Sequence, residues 1–260
     1  MKVKELTAWL EQSYPADMAE SWDNVGLLVG DDEAEVSHVF FALDLTERTL
    51  EEAVRAGADM IITHHPMIFD GMKKINNHSF TGRRVLSLIR HNIQYYAMHT
   101  NYDILGMAEL SADDLELQDR EVLTVTAETE HGPEGLGRVG LLPRRMTLRE
   151  CGEFVKKAFA LNDVKIYGDL DREVEKAAVC TGSGKSLLSD VLKKGADVYI
   201  TGDIDHHTGI DAVAQGLSIV DAGHYGTEYI FMEAMRQKLA AQFPELTLSC
   251  AEVVSPYTIL

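Results

Sequence analysis

Two adjacent histidines, His64 and His65, end a short apolar run and stand directly before Pro66. Within a strand, neighbouring side chains point to opposite faces, so a continuing strand would split the pair. Pro66 disfavours helical geometry at His65, which indicates that the backbone turns at the strand end. There, two imidazoles can reach one site, since ligands of open α/β sheets gather beyond the carboxyl ends of the strands. Taken alone, such a pair is more typical of two exposed loop histidines.

Two further histidines are each followed by a carboxylate four residues later, just after a predicted strand. His99 precedes Asp103, and His224 precedes Glu228. On a helix this spacing places both groups on one face, and in a loop it still allows shared coordination. Imidazole nitrogens and carboxylate oxygens are donors that Zn, Fe, Mn or Ni accept, and the set contains no thiolate. For the full set we therefore expect a metal site rather than capping or solvent contacts.

The candidate groups outnumber the ligands that one metal needs. A single ion takes about four ligands, and a surplus with two carboxylates is typical of two metals about 3.5–4 Å apart with a bridging acid or hydroxide. The sequence therefore predicts a dinuclear centre in which His64 and His65 bind neighbouring metals, one each.

The elements that must position these groups occur twice. The pattern of residues 38–66 and of residues 176–207 predicts strand, turn, helix, glycine and strand, and GADMIITHH (57–65) aligns with GADVYITGD (195–203). Each half continues with a helix and a strand that leads into its His-x-x-x-acid pair. Strands that alternate with helices indicate βαβ units. We predict a duplicated α/β fold with mixed sheets and a metal site between the two halves.

The middle of the chain, residues 107–140, is rich in acids, glycine and turn residues. We place the domain boundary there, near residue 125. The prediction is an N-terminal α/β domain over residues 1–125 and a C-terminal α/β domain over residues 126–260.

Local patterns beyond that boundary predict individual elements. We expect a turn at Pro143 and a helix capped by Thr147, with Glu150 three residues on. The C-terminal stretch has helical apolar spacing, and we expect its Met232 and Met235 to fill the core.

Composition and charge favour a soluble, cytoplasmic protein. No apolar window approaches the roughly 20 residues that span a bilayer, and the three cysteines are far apart, which suits a reducing compartment. The formal charge of −18 opposes binding to a phosphate backbone, so we expect neither a nucleic acid nor a membrane as partner.

Several motifs of the chain occur together in one known family. In chain order they are SWDNVGLLVG, ITHHP, HTNYD, ITGD and DAGHYGTE, between residues 21 and 228. In this combination the chain resembles the GTP cyclohydrolase I type 2 homologues, also called the NGG-interacting-factor-like family. The resemblance implies two interlinked α/β domains and a toroidal homohexamer. Longer family members carry an inserted domain, for which residues 125–145 leave no room.

The resemblance also implies roles for the candidate residues. It implies two divalent metal ions per subunit, held by His64, His65, Asp103, His224 and Glu228. Which of Zn, Fe, Mn or Ni they are stays open. His99 falls on a family histidine beside the metals, and we take it as the candidate catalytic residue, a proton shuttle that titrates in the right range.

Other residues could line the site. Asp23 and Asn24 belong to the SWDN signature and are either turn residues or groups that approach the metals. Asp203 aligns with His65 in the duplication, and His207 falls where family members often have a histidine. All four assignments stay open here.

The remaining histidines and one glycine-rich stretch receive simpler interpretations. CTGSGKSLL, residues 180–188, looks like a phosphate loop, but Val179 stands where that loop needs glycine, so we expect a strand-to-helix turn. An anion nest at Gly182 to Gly184 is the minority alternative. We expect His206 on the surface, and no role in the site for the other histidines, which are His38, His78, His91 and His131.

The main hypothesis is a metal-dependent hydrolase that acts on a nucleotide or related heterocycle. Two metals lower the pKa of a bound water and polarise the substrate, which gives a hydroxide nucleophile near neutral pH. The family name points to ring opening of GTP with loss of the purine C8 carbon, while a nucleotide phosphoester would suit the same metals.

Two hypotheses from other classes compete with it. The same ligands could serve a metal-binding regulatory or metal-delivery protein without turnover. A DNA-associated ring protein could use the hole of a hexamer, but the charge of −18 per subunit counts against it.

Overall fold

The computed structural model describes residues 1–130 and 132–259; His131, for which no role was expected, and Leu260 lie outside the described residues. The chain divides into two compact units. Unit 1 comprises Met1–Tyr102 and Tyr229–Val254, and unit 2 comprises Asp103–Glu228 together with the C-terminal residues from Ser255 on. Each unit contains one mixed sheet flanked by helices, which confirms the predicted α/β class.

The strands of the described residues are short except in the middle of the chain. In chain order they are β1 (Gly26–Val29), β2 (His38–Ala42), β3 (Met60–Thr63), β4 (Gln94–Ala97), β5 (Gln118–Thr129), β6 (Gly132–Thr147), β7 (Lys165–Tyr167), β8 (Glu173–Ser183), β9 (Val198–Gly202), β10 (Ser218–Asp221) and β11 (Thr247–Cys250).

From β2 to β4 and from β8 to β10 the strands alternate with helices, as the repeated pattern predicts. In chain order they are α1 (Val3–Ser13), α2 (Glu47–Ala56), α3 (Phe80–His91), α4 (Thr100–Tyr102), α5 (Ala108–Asp114), α6 (Leu148–Ala158), α7 (Leu188–Lys193), α8 (His206–Ala214), α9 (His224–Glu228) and α10 (Ile230–Gln242). A π-helical turn over Asp103–Met107 joins α4 to α5, and a 3₁₀ turn over Gly184–Leu187 precedes α7.

The sheet of unit 1 has the strand order β1-β4-β3-β2-β11. Strands β11, β2, β3 and β4 are parallel, and β1 is antiparallel to β4. Every residue of β3 and β4 is buried, as expected of parallel strands covered on both faces. Because β3 and β4 are parallel neighbours, their carboxyl ends lie at the same edge of the sheet.

The sheet of unit 2 has the strand order β5-β6-β8-β9-β10-β7. Its parallel centre is β8-β9-β10, and β5, β6 and β7 pair antiparallel. The core beside this centre is built from buried apolar side chains such as Val139, Tyr199 and Ile219. The carboxyl ends of β8, β9 and β10 therefore share one edge, as do those of β3 and β4 in unit 1.

The glycines predicted at the ends of two helices lie there, because helix ends depend on local chemistry. Thr46 caps α2 by accepting a hydrogen bond from the Thr49 backbone N–H, and Gly57 ends it with a φ of +70°. Gly195, with a φ of +67°, follows α7 in the same way. Left-handed backbone of this kind favours glycine, which explains why both repeats place one there. Met232 and Met235 of α10 are buried in the core, as predicted.

The predicted turn at Pro143 is wrong, because β6 continues through this residue. The pairing of β6 with β8 shifts register between Leu141 and Met146, and its pairing with β5 ends at Leu141. Proline lacks a backbone N–H, so it is tolerated in a strand at such a bulge, where no ladder hydrogen bond is lost.

The acid-rich segment of residues 107–140 forms α5, β5 and the first half of β6, all within unit 2. Residue 125 lies inside β5, and the division of the chain into two folding domains near that residue stays a prediction. None of the helices within residues 1–130 and 132–259 is long and apolar enough to cross a membrane.

The capping box of α6 gives a test of the fold. Thr147 Oγ1 accepts a hydrogen bond from the Glu150 N–H at 3.2 Å, and the Thr147 N–H donates to Glu150 Oε2 at 2.8 Å. We expect Thr147→Ala to lower the free energy of unfolding by about 1 kcal/mol, since one N-terminal N–H loses its acceptor. Urea denaturation followed by circular dichroism measures it. Thr147→Ser keeps the oxygen and is the control; an equal loss in both variants contradicts the role of the cap.

Candidate metal centre

Three histidines of unit 1 lie together at the carboxyl ends of β3 and β4. His64 and His65 follow β3, and His99 is the second residue after β4. Their ring centroids are 5.0 Å apart for His64 and His65, and 5.3 and 5.5 Å from each of these to His99. Each offers one nitrogen within 4.8 Å of the others, so the three could bind a metal ion.

The rings of the adjacent pair are oriented by hydrogen bonds at Nδ1. The backbone carbonyl of Met98 lies 3.0 Å from His64 Nδ1, and Asp44 Oδ1 lies 2.9 Å from His65 Nδ1. A carbonyl or an ionised carboxylate only accepts, so each Nδ1 carries the proton and each Nε2 carries a lone pair. This is the tautomer that binds a metal through Nε2, with the other nitrogen tied to an acceptor.

His99 has the same arrangement, with Asp23 as its partner. His99 Nδ1 donates to Asp23 Oδ1 at 2.9 Å, and the N–H and Oγ1 of Thr100 donate to Asp23 Oδ2 at 3.0 and 2.5 Å. Burial raises the pKa of Asp23, but the hydrogen bonds from His99 and Thr100 and the attraction of His99 lower it overall, from 3.8 to about 2. Asp23 is therefore ionised at neutral pH and holds the Nδ1 proton of His99.

Unit 2 carries a second cluster on the short helix α9. His224 Nε2 lies 3.0 Å from Glu228 Oε2, one helical turn on. That distance is close to the separation of two donor atoms that each lie about 2.1 Å from one ion. His224 Nδ1 donates to Asp203 Oδ2 at 2.8 Å, so this histidine also has an acceptor behind it. Asp203 follows β9 and aligns with His65 in the sequence repeat. Its carboxylate therefore orients a histidine.

Asp103 and Glu228 lie near each other in unit 2. One carboxylate oxygen of each lies within 4.8 Å of the other. Asp103 begins the π-helical turn, a rare backbone form that is frequent at functional sites. Burial, together with the negative charges of Asp103 and Glu228, raises the pKa of the neighbouring Cys180 thiol to about 12. Cys180 therefore stays protonated at neutral pH, and the donors of this cluster are imidazole and carboxylate.

Gly182, at the end of β8, makes room for these donors. A Cβ on Gly182 would lie 2.0 Å from Glu228 Oε1 and 3.3 Å from His224 Nε2, and its φ is +64°. The Gly182 N–H donates to Thr227 Oγ1 at 2.9 Å, which ties the strand end to α9. Only glycine fits here, so the space beside the carboxylate is built into the backbone. Both clusters fit divalent transition metals, because their donors are oriented nitrogen and oxygen atoms.

The glycine-rich stretch is the predicted strand-to-helix turn. Residues 180–188 form the end of β8, the 3₁₀ turn and the first residue of α7. Lys185 forms an exposed ion pair with Asp205, at 2.5 Å.

The four residues whose roles were left open have different surroundings in the structure. Asn24 donates through Nδ2 to the carbonyl of Ile68 at 2.6 Å, whereas Asp23 and Asp203 support histidines, as described above. His206 and His207 are exposed at the start of α8, with ring centroids 5.2 Å apart.

Asp44 is the supporting residue that the sequence analysis missed. A carboxylate just after a strand is also a common turn residue, so its type alone gives no signal. The duplication gives no signal either, because Asp44 aligns with Gly182, which has no side chain.

Comparison with known proteins places the chain in a family. The profile of the family described as Duf34/NIF3 (NGG1p interacting factor 3) matches residues 1–258. A protein of Clostridium acetobutylicum named GTP cyclohydrolase 1 type 2 homolog is 34% identical, over 100% of this chain and 97% of its own length.

Solved structures agree with this match. The Staphylococcus aureus hypothetical protein SA1388 superposes with a TM-score of 0.91 at 28% identity, covering 100% of this chain and 99% of the other. A Bacillus cereus protein related to NIF3 gives 0.91 at 25% identity, with the same coverage. The resemblance seen in the motifs is therefore confirmed.

The low pKa of Asp23 predicts a pH dependence of stability. A carboxyl whose pKa falls from 3.8 to about 2 on folding stabilises the fold above about pH 4, and the contribution is lost as the pH falls through 2. From this shift we expect Asp23→Asn to lower the free energy of unfolding at pH 7 by about 2.5 kcal/mol.

The difference between wild type and Asp23→Asn should shrink between about pH 4 and pH 2. Urea denaturation across this range measures it. The exposed Asp17 supplies the control Asp17→Asn, which should change little. Equal losses in both variants, or a difference that is independent of pH, would contradict the assignment.

Proposed function

Because the chain belongs to the Duf34/NIF3 family, we propose that it is a dinuclear metal-dependent hydrolase that acts on a nucleotide or a related heterocycle. The observation that carries the proposal is the orientation of the donors. Four histidines direct Nδ1 at an acceptor and present Nε2, as metal-binding histidines do. The proposed ligands of two divalent ions are His64, His65, Asp103, His224 and Glu228.

The proposal requires both units to contribute ligands, and the path of the chain supports this. The chain leaves unit 1 between Tyr102 and Asp103 and returns to it between Glu228 and Tyr229. Both carboxylates are therefore covalently next to unit 1, although they belong to unit 2.

Two contacts inside unit 1 show which of its residues lie near the points where the chain leaves and re-enters this unit. The His64 ring packs against Tyr102, with centroids 6.2 Å apart, and against Phe231, at 5.3 Å. Tyr102 immediately precedes Asp103, and consecutive Cα atoms are about 3.8 Å apart. Phe231 is three residues after Glu228. These contacts support the proposal that the histidines and both carboxylates bind the same metals.

In the proposed reaction, each residue has a defined task. The bound metals would supply a water of lowered pKa and would polarise the substrate. Asp44 and Asp203 hold two of the ligand rings in position. His99 accepts and returns a proton at Nε2, while ionised Asp23 keeps the proton at Nδ1 and stabilises the charged ring. The buried carboxylate thus fixes the orientation of the His99 ring and leaves Nε2 for proton transfer.

The substrate class and the assembly rest on the relatives. Curated relatives carry the name GTP cyclohydrolase 1 type 2 homolog, which supports a nucleotide as the substrate. The family resemblance likewise supports a toroidal homohexamer. Zn, Fe, Mn and Ni all accept this donor set.

One observation favours the alternative, a metal-holding or metal-delivery protein without turnover. His64 is fully buried and the Glu228 side chain is only 5% exposed, as suits tight retention of an ion. The partly exposed His65, His99 and His224 favour access by a substrate.

Substitution of the two carboxylates tests the proposed function. In Asp103→Asn and Glu228→Gln we expect each metal to bind at least roughly 10–100-fold more weakly, the cost known for loss of even a supporting group. Hydrolysis of GTP and other nucleotides should be lost in parallel. Elemental analysis measures the metal content, and product chromatography with Mn, Zn, Fe or Ni measures turnover.

The matched control is Glu233→Gln, which removes an exposed carboxylate that pairs with Arg236 on α10. It should keep metal and activity. Unchanged metal content and turnover in both ligand variants would overturn the proposed function. Bound metal without turnover of any nucleotide would favour the metal-holding alternative.

A further inference from the structure

Two exposed aromatic side chains flank His99 in unit 1. Trp22 is 60% exposed and Phe69 is 50% exposed. Both rings meet the His99 ring edge to face, with centroids at 5.8 Å for Trp22 and 5.9 Å for Phe69, and interplanar angles of 73° and 83°. The candidate proton-transfer residue therefore lies beside two large apolar rings that remain open to solvent.

Hydrogen bonds hold the backbone of the segment that carries Trp22. The Asp23 N–H donates to the carbonyl of Glu20 at 2.9 Å, which closes the turn around Trp22. Asp23 is fixed in turn by His99 and Thr100, as described above. The position of the Trp22 ring is therefore coupled to that of the His99 ring through a single residue.

The segment that carries Phe69 is anchored to the same turn. Asn24 Nδ2 donates to the carbonyl of Ile68, the residue before Phe69, at 2.6 Å. The base of the loop is held by Tyr95, whose hydroxyl accepts from the Met67 N–H at 2.8 Å. The motif SWDN thus carries one ring, fixes His99 through Asp23 and anchors through Asn24 the backbone beside the second ring.

Single exposed aromatic side chains are common, whereas a cluster of them calls for a functional explanation. Phe80 is 57% exposed as well, but the Arg84 guanidinium lies over its ring at 4.9 Å from the centroid. Trp22 and Phe69 instead share one place beside a reactive group. Large rings exposed together typically mark a binding site, and aromatic faces bind planar heterocycles by stacking.

We propose that Trp22 and Phe69 form a stacking site for a planar heterocycle, the nucleobase-like part of the substrate. The proposal rests on the proposed function for the chemistry at His99, and it extends that function by assigning residues to substrate recognition. The heterocycle packs on these rings, and His99 beside them reaches the atoms to be transformed.

Tryptophan fluorescence tests the proposal directly. The chain has two tryptophans, and Trp9 packs against Phe243, so Trp9→Phe leaves Trp22 as the single reporter. We expect guanosine monophosphate to quench Trp22 with saturation, and ribose 5-phosphate, which lacks the base, to have no effect. The titration is run on the intact protein with and without added metal. Equal quenching by both probes, or by neither, would overturn the proposal.

Binding variants separate stacking from other roles. By equilibrium dialysis, Trp22→Ala and Phe69→Ala should each bind guanosine monophosphate roughly ten-fold or more weakly, the size expected for loss of one stacked ring. Trp22→Phe should restore most of the affinity, and the control Phe80→Ala should bind normally. Metal content and assembly size are measured on every variant. Unchanged binding in both alanine variants, whatever their assembly size, contradicts the proposal.

The outcomes keep this proposal distinct from the proposed function. Base-dependent quenching in a protein that binds none of the added metals would leave the stacking site standing and reject the metal-dependent hydrolase. Normal metal content without base-dependent quenching would reject the stacking site alone.

Discussion

Hydrogen bonds that four histidines donate through Nδ1 determine which nitrogen of each ring is available to an ion. An imidazole without such a bond can exchange tautomers and rotate, and either change would remove its Nε2 lone pair from the site. A carbonyl or carboxylate behind each ring fixes both properties at once. The strand ends of both sheets are arranged to place these acceptors. The rest of the site depends on this constraint, because ligand geometry is set before any ion binds.

The two halves of the duplicated chain orient their histidines with residues from different positions of the repeat. In the first half, His65 is a candidate metal ligand and Asp44 orients its ring. At the aligned positions of the second half, Asp203 orients the ring of His224, and Gly182 leaves room for the Glu228 carboxylate. Each half therefore supplies a histidine followed four residues later by a carboxylate, and the first half adds the adjacent pair His64 and His65.

Much of this could be predicted from the sequence, because the signals are local. Strand ends, the helix cap at Thr147 and the histidine–carboxylate spacing follow from neighbouring residues. The supporting role of Asp44 could not be predicted, since a carboxylate after a strand equally suits a turn. Nor could the continuation of β6 through Pro143, where the register shifts, or the return of β11 to pair with β2, because long-range pairing leaves no local trace.

Anomalous diffraction from crystals of the protein as isolated tests the central claim most directly, with the wavelength chosen after elemental analysis. The account predicts two peaks about 3.5–4 Å apart. His64 and His65 should each contribute a nitrogen, and Asp103 and Glu228 an oxygen, at roughly 2.0–2.2 Å from a peak. Peaks elsewhere in the molecule, or ions bound by the histidines while both carboxylates bind none, would contradict it.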